Sequence, residues 1–367
     1  MTAIRYSLAV LLATLVATLV ATSLAAQQPP PQGRGQGTGG AAPQGGRGNQ
    51  PPFVRTIEQV RGDLFKVLSG PGVGAVTVFL VTQDSIVLAD PLNPEFGAWL
   101  KAELATRFPG KPVRFVLESH YHWDHARGGG MFADTAKFIA HENMPKNLAL
   151  PIRQAHPPGD TDDVDGDDRL TREEAQTGTR GNFDRFDGNA DSFLTQAEIG
   201  ADIRRPDITF GDRYTLTAGG KRVELIHAKN RHTDDLYDVY FPEERVLFAN
   251  DYLWVNRLCC NFAFDRRPIA TWINSIKALE ALDFDIVVSS HWAAGTKADV
   301  TRFREYLEDL QSQVQAGIKA GRSLEEIQKS VNLSKYSNFA GYPDQVPAIV
   351  QSAFNSLTKY EPSTEAR

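Results

Sequence analysis

Seven consecutive residues concentrate side chains that can bind a transition metal. Residues 119–125 read S-H-Y-H-W-D-H and include His120, His122, Asp124 and His125. In an extended segment alternate side chains face the same side, so the first two imidazoles can reach one ion. If a helix follows, Asp124 and His125 point to a neighbouring position. Imidazole and carboxylate are typical of catalytic zinc sites. Because three of the eight histidines lie here, a metal site is favoured over an adventitious histidine tract.

The order H-x-H-x-D-H resembles the signature of the metallo-β-lactamase fold superfamily. That family takes three further ligands from the ends of later strands, and this chain has a residue of the expected type at each place. R-H-T-D-D offers His232, R-V-L-F-A-N-D offers Asp251, and D-I-V-V-S-S-H offers His291. The sequence departs from the family pattern at Asn250, where glycine is usual.

The resemblance implies two zinc ions that share seven ligands, with iron or manganese as alternative metals. One ion would be held by His120, His122 and His232, the other by Asp124, His125 and His291, and Asp251 would bridge the two. A metal-bound hydroxide would then attack a carbonyl or phosphoryl centre of a small-molecule substrate. Asp124 would orient that hydroxide or accept its proton as the catalytic residue.

The implied function is that of a secreted binuclear hydrolase acting on a β-lactam, lactone, ester or thioester. Some β-lactamases have cysteine where this chain has Asp251, so the ligand set is more similar to glyoxalase and lactonase relatives. Two other functions stay open: an iron-dependent redox or persulfide-type enzyme on the same scaffold, and a non-catalytic calcium-dependent binding protein. Residues that flank the ligands could shape a pocket or pack in its wall: Trp123, Asn230, Arg231, Trp254, Arg257 and Trp292.

These ligands need strands that end beside one another. Apolar runs interrupted by Gly, Pro and Asp predict strands over residues 64–68, 76–81, 86–89, 113–117, 138–140, 209–216, 221–226, 236–241, 245–248 and 286–290. Two mixed sheets between helices suit this order, and the resembling family has that αββα sandwich with the metals on one edge. In that family an Asp in the position of Asp90 supports the metal site, although it could also be a turn residue before Pro91. We interpret His141 as a non-ligand.

The chain of 367 residues has two segments ahead of this domain. Residues 1–26 combine a basic start, an apolar run and small residues, which is typical of a secretory signal peptide. An uncleaved membrane anchor is the alternative. Residues 27–52 are rich in Gln, Pro and Gly and are predicted to be a disordered linker. We therefore expect a secreted or periplasmic protein that meets the membrane only through the signal segment, if that segment is uncleaved.

Residues 53–367 are predicted to form the enzyme domain, with a helical region over residues 298–367 that packs on it. Some members of the resembling family have a helical substrate domain at this end, so a substrate role is the alternative. The net charge of −6 gives no reason to expect nucleic acid as a partner, and the oligomeric state is left open. Cys259 and Cys260 are adjacent, so a bond between them would strain the peptide. They could instead line the mouth of the site.

Residues 152–205 are predicted to form an acidic insertion. D-V-D-G-D-D-R-L-T-R-E-E (163–174) aligns with D-G-N-A-D-S-F-L-T-Q-A-E (187–198), and both match the ligand spacing of an EF-hand calcium loop. Position 6 departs from it, because Asp168 and Ser192 stand where glycine is expected. The alternative is a solvated acidic loop. The residues at the ligand positions are Asp163, Asp165, Asp167, Arg169, Glu174, Asp187, Asn189, Asp191, Phe193 and Glu198.

Overall fold

The computed structural model describes residues 55–69, 74–152, 163–175, 177–229, 232–258, 264 and 268–360. The predicted signal peptide and linker, Asn230, Arg231, Cys259 and Cys260 lie outside these ranges. Two mixed β-sheets are flanked by helices, so the predicted αββα sandwich is confirmed. None of the helices in the described ranges is long and apolar enough to cross a membrane.

The first sheet has seven strands in the order β1 to β7. The antiparallel part comes first and the parallel part begins at the β4–β5 pair. Parallel neighbours end at the same edge of a sheet, so β4, β5 and β6 bring their following residues together. The strands are β1 (Thr56–Arg61), β2 (Leu64–Leu68), β3 (Val76–Val81), β4 (Ile86–Ala89), β5 (Val113–Leu117), β6 (Lys137–His141) and β7 (Ile208–Phe210).

The second sheet has six strands in the order β13-β12-β11-β10-β9-β8. Of its pairs, β11–β12 is parallel, and the other four are antiparallel. Apolar side chains of both sheets meet in a shared buried layer that includes Leu117, Ile139, Val239 and Val288. The strands are β8 (Arg213–Ala218), β9 (Lys221–His227), β10 (Tyr237–Phe241), β11 (Val246–Ala249), β12 (Ile286–Ser289) and β13 (Ala294–Thr296).

The prediction of a single strand over residues 209–216 is wrong. The chain breaks at Gly211 and Asp212, so β7 ends the first sheet and β8 begins the second. Residues on both sides of Gly211 and Asp212 are compatible with extended backbone, but the two halves pair with different neighbours. Two further strands, β1 and β13, were not predicted because each is largely polar or small in composition.

Helices cover the outer faces of both sheets. α1 packs on the first sheet through Phe96, Leu100 and Leu104. The C-terminal helices α8 and α10 join α7 in a large apolar cluster on the second sheet, as expected for structural packing. The helices are α1 (Pro94–Arg107), α2 (Trp123–Ala126), α3 (Met144–Asn147), α4 (Thr177–Gly181), α5 (Phe183–Phe186), α6 (Gln196–Ile199), α7 (Ile269–Glu280), α8 (Lys297–Lys319), α9 (Leu324–Ser330) and α10 (Val346–Lys359).

Candidate metal centre

The histidine-rich motif lies at the turn from strand to helix. β5 ends at Leu117, His120 and His122 follow it, and α2 begins at Trp123, directly after the extended backbone of His122. Asp124 and His125 therefore lie in the first turn of a helix and point to a different position from the first two histidines. This local change of conformation allows one heptapeptide to serve two neighbouring cation positions.

The other three ligand candidates come from the second sheet. His232 lies in the loop between β9 and β10, Asp251 follows β11, and His291 follows β12. Because β11 and β12 are parallel neighbours, the residues after them meet at one edge. The backbone N–H of Tyr237 donates to the carbonyl of Ser119 at 3.1 Å, which fastens the second sheet to the motif.

Four of the other six predicted ligands, all histidines, lie around the carboxylate of Asp251. Its Oδ2 lies 3.2 Å from Nε2 of His125, 3.6 Å from Nε2 of His232 and 3.7 Å from Nε2 of His120. Its Oδ1 lies 3.4 Å from Nε2 of His291. Asp251 thus reaches histidines of both predicted ligand sets.

The donor atoms form two groups, each with all its atoms within 4.8 Å of one another. Nε2 of His232 lies 3.2 Å from Nδ1 of His122 in the first group. In the second, Oδ2 of Asp124 lies 3.5 Å from Nε2 of His291. The groups are His120, His122, His232 and Asp251, and Asp124, His125 and His291. These spacings suit two cations side by side.

The buried imidazoles and carboxylates of the centre shift one another's pKa values. Burial, followed by the nearby His125, lowers the pKa of His120 well below its usual value, so its imidazole is neutral and able to coordinate. Burial alone would raise the pKa of Asp251. His125 and His291 outweigh that effect and hold it well below its usual range, so Asp251 is ionised.

Asp90 orients two of the ligands from the end of β4. It is fully buried, and its Oδ1 accepts the backbone N–H of Ser119 at 2.9 Å. Its Oδ2 accepts the Ser119 hydroxyl at 2.8 Å and lies 3.0 Å from Nδ1 of His125. The Ser119 hydroxyl in turn lies 3.0 Å from Nδ1 of His120. With Nδ1 of both rings engaged in this way, Nε2 faces the metal positions.

Ser290, which sequence reasoning missed, holds Asp251, and Asn250 fixes the backbone directly before it. The hydroxyl of Ser290 donates to its Oδ1 at 2.5 Å. The backbone N–H of Asn250 donates to Oδ1 of buried Asp238 at 3.0 Å, and its side-chain amide donates to the carbonyl of Tyr237 at 2.7 Å. Asn250 thus uses its side chain to join two strands where the family usually has glycine. The sequence signal that could have identified Ser290 is its position directly before the predicted ligand His291.

Comparison with known proteins agrees with this geometry. A family model described as "Metallo-beta-lactamase superfamily" matches residues 71–291. The chain belongs to the metallo-β-lactamase superfamily. Membership and the His/Asp cluster together indicate a metal-dependent enzyme of the hydrolase type.

Three related proteins show how far the similarity extends. The alpha subunit of 2,4-dinitroanisole O-demethylase from Nocardioides sp. (strain JS1661) is 23% identical over 242 residues, which are 65% of this chain and 57% of that protein. The stereoselective inverting sec-alkylsulfatase Pisa1 from Pseudomonas sp. aligns over 84% of this chain and 51% of its own, with a TM-score of 0.59 and 15% identity. A metallo-β-lactamase from Pontibacter korlensis aligns over 70% of this chain and 99% of its own, with a TM-score of 0.49 and 17% identity. The chain thus spans little more than half of the first two proteins.

The predicted pocket residues of this superfamily member differ in burial and in the residues they contact. Trp254 is buried in the apolar cluster of the second sheet, so its ring packs in the wall. Trp123 packs against Phe186 of the insertion, with ring centroids 5.3 Å apart. Trp292 and Arg257 are partly exposed, and the guanidinium of Arg257 lies 4.4 Å from the centroid of the Trp292 ring.

His141 lies apart from the two groups of donor atoms. Its ring is tilted by 40° against that of His227, with centroids 4.0 Å apart, and its Nδ1 accepts the backbone N–H of Asn143 at 3.2 Å. Burial, followed by the neighbouring His227, lowers the pKa of His141 to about 4. These contacts belong to the packing between β6 and β9.

The two repeats of the insertion fold as paired loops. Leu170 and Leu194, both at position 8, exchange two backbone hydrogen bonds of 2.9 Å. Asp168 and Ser192 have φ angles of 62° and 69°, so they adopt the left-handed conformation for which position 6 normally uses glycine. Donor oxygens of Asp163, Asp165 and Glu174 lie within 4.8 Å of one another.

Proposed function

We propose that the chain is a secreted hydrolase that uses two zinc ions to cleave a carbonyl-type bond in a small molecule. The convergence of histidines of both ligand sets on Asp251 carries this proposal. The donor set fits the metal, since imidazole nitrogen and carboxylate oxygen suit zinc, iron and manganese. Within the described residues, buried Nε2 of His120 has no hydrogen-bond partner, which is costly unless a cation occupies the site.

Each ligand has a role that its position supports. His120, His122 and His232 would hold one ion, Asp124, His125 and His291 the second, and Asp251 would bridge them. Bound cations of this kind lower the pKa of water and polarise the substrate oxygen. Asp124 is the most exposed of the carboxylates here, with 30% of its side chain accessible, so it is placed to accept a proton from the substrate side. Asp90 and Ser290 hold the ligands in position.

We propose a β-lactam, lactone, ester or thioester as the substrate class. The names of two related proteins add bonds worth testing, because one removes a methyl group from oxygen and the other acts on an alkyl sulfate. A hydrolysis screen across all six bond types, with metal analysis on the same sample, tests the proposal. We expect about two transition metals per chain and cleavage of a carbonyl-type substrate. Full metal loading without cleavage of any panel member would overturn it.

We further propose that the paired loops of the insertion bind Ca²⁺ through the ligand positions named above. The repeated spacing, the Leu170–Leu194 pairing and the clustered carboxylates support this. Titration calorimetry with Ca²⁺ on the zinc-loaded protein tests it. Heat of binding should vanish when Asp163 and Asp187 are both replaced by Ala. Binding that is unchanged in this double variant would argue for a solvated acidic loop.

Residues 1–26 support the proposal of export, because a basic start precedes an apolar run and small residues. N-terminal sequencing of the protein after expression in a bacterial host tests this. We expect a mature chain that begins shortly after residue 26.

A further inference from the structure

A buried carboxylate joins the histidine-rich motif to the loop that carries His232. Asp235 lies three residues after His232, and its side chain is fully buried. Its Oδ2 accepts the backbone N–H of Tyr121 at 3.0 Å. Tyr121 stands between His120 and His122. One hydrogen bond therefore connects the backbone between two histidines of the first group with the loop that carries the third.

The same stretch of the motif is held at a second point. The backbone N–H of Tyr237 donates to the carbonyl of Ser119 at 3.1 Å. His120 therefore has a bond to the segment leading into β10 on each side, one before it at Ser119 and one after it at Tyr121. Because both neighbours are bound, the backbone of His120 cannot shift without breaking one of these buried bonds, which is costly. Loss of the Asp235 acceptor would release one side.

The loop around Asp235 is itself anchored. The side-chain amide of Asn143, the residue before α3, donates to the carbonyl of Asp234 at 3.0 Å. The amide of Asn147, within α3, donates to Oδ1 of Asp234 at 2.6 Å. The residue directly before Asp235 is thus fixed independently of Tyr121. An acceptor held in this way can impose a geometry on the motif.

Asp235 differs from Asp90 in the ligands that it reaches. Asp90 contacts His125 of the second group directly, whereas Asp235 binds the backbone between two ligands of the first group. We propose that Asp235 is a positioning residue for the first cation position, where it fixes the motif relative to His232. This inference rests on the proposed function, and it adds that the first position has a carboxylate support of its own.

Zinc affinity in two single-site backgrounds tests the proposal. His291→Ala removes a ligand of the second position and leaves the first, and His122→Ala does the reverse. In the His291→Ala background we expect Asp235→Leu, which has no acceptor, to weaken zinc binding about 10- to 100-fold. In the His122→Ala background the same change should alter zinc affinity less than about threefold, because the second position shares no contact with Asp235. Competition with a chromogenic chelator measures both affinities.

Asp235→Asn is the matched variant, because its amide oxygen can still accept the N–H of Tyr121. Burial raises the pKa of the Asp235 carboxyl to about 7 and so disfavours its ionised form, which makes a neutral amide compatible with the site. Zinc affinity in the His291→Ala background should return to within about threefold of its parent. Asp207→Leu is the control, since Asp207 also accepts a backbone N–H, that of Phe138 at 2.9 Å. It should leave both backgrounds unchanged.

Equal weakening by Asp235→Leu in the two backgrounds would overturn the proposal, because it would indicate a general loss of structure. Unchanged affinity in the His291→Ala background would overturn it too, as would an Asp235→Asn variant that binds zinc as weakly as Asp235→Leu. If circular dichroism shows that Asp235→Leu does not fold, Asp235→Glu decides, since its longer side chain displaces the acceptor and should weaken the first position alone. No substrate enters these titrations, so a failed hydrolysis screen would count against the proposed function and not against this inference.

Discussion

The metal centre and the acidic insertion both gather groups that suit cations, yet they assemble them in opposite ways. Each loop of the insertion draws its candidate ligands from twelve consecutive residues. The metal centre draws on residues from 120 to 291, which meet only because parallel strands end at shared edges. A local loop can be recognised by spacing alone, whereas a convergent centre depends on the whole fold.

The two regions also differ in how their carboxylates are held. In the insertion, Asp163 accepts backbone N–H groups of Gly166 and Asp168 in its own loop, at 2.8 and 3.1 Å. In the metal centre, buried Asp90 holds Ser119 and His125, which lie 29 and 35 residues away. Exposed loops can exchange a cation with little change elsewhere. A buried centre held by distant elements is preorganised, so a substitution in one of those elements changes the geometry of the reacting groups.

An aromatic contact joins the two regions. Trp123 lies between ligands His122 and Asp124, and its ring packs against Phe186. Phe186 directly precedes Asp187, the first residue of the second loop. Behind it, the guanidinium of Arg127 lies 4.4 Å from the Phe186 ring centroid and pairs with Asp202. We therefore expect a substitution in one region to have little effect on the other. The Trp123–Phe186 contact is where an effect could pass between them.

The largest expected effect follows loss of a convergent ligand. His122→Ala should lower kcat/KM by on the order of 1000-fold or more, because it would remove a proposed ligand of the cation at the reacting centre. Circular dichroism should show a folded protein, and metal analysis should show fewer ions per chain. Asp187→Ala is the counterpart in the insertion and should keep most activity. Comparable activity losses in the two variants would contradict the separation.

Removing a remote support should have the next largest effect. Asp90→Ala leaves the hydroxyl of Ser119 and Nδ1 of His125 without their acceptor, and we expect zinc affinity to fall about 10- to 100-fold. Competition with a chromogenic chelator measures this. The control is Asp84→Ala, which changes an exposed carboxylate in the turn before β4. Unchanged zinc affinity in Asp90→Ala would mean that His120 and His125 do not need Asp90 for their orientation.

Calcium removal should act on stability rather than chemistry. At a Ca²⁺ concentration about 100 times Kd, binding adds about 2.7 kcal/mol to the free energy of unfolding, so a calcium chelator should lower Tm by several degrees. The double variant Asp163→Ala, Asp187→Ala should show a low Tm that no longer responds to the chelator. Asp344→Ala, an exposed carboxylate elsewhere, serves as the charge control. A fall in kcat/KM on calcium removal as large as that expected for His122→Ala would contradict this separation of the two regions.

The smallest effect tests the contact between the regions. Phe186→Leu keeps an apolar side chain but removes the ring beneath Trp123, and we expect a loss of stability below about 1.5 kcal/mol. If the regions act separately, kcat should change less than about twofold. The control is Phe183→Leu, since Phe183 is equally buried in the insertion core. A kcat loss confined to Phe186→Leu would show that the contact transmits a change in the loops to Asp124.

Much of the fold could be predicted because buried strands keep a local pattern. The expected limits of β2, β3, β4 and β5 agree with the structure, since each is a short apolar run between turn residues. The break between β7 and β8 was missed because both halves are compatible with extended backbone. Their assignment to different sheets depends on pairing partners far along the chain, and no local pattern records that choice.

The sequence by itself determined the kinds of donor groups, their order and the family, because imidazoles and carboxylates at fixed spacing reflect metal chemistry directly. Tertiary structure alone decided the rest. It placed Asp251 among four histidines, gave Ser119 and Ser290 their positioning contacts, and turned Trp123 towards the insertion and Trp292 beneath Arg257. These contacts join residues that are distant in the chain, and only packing of the two sheets fixes which of them meet.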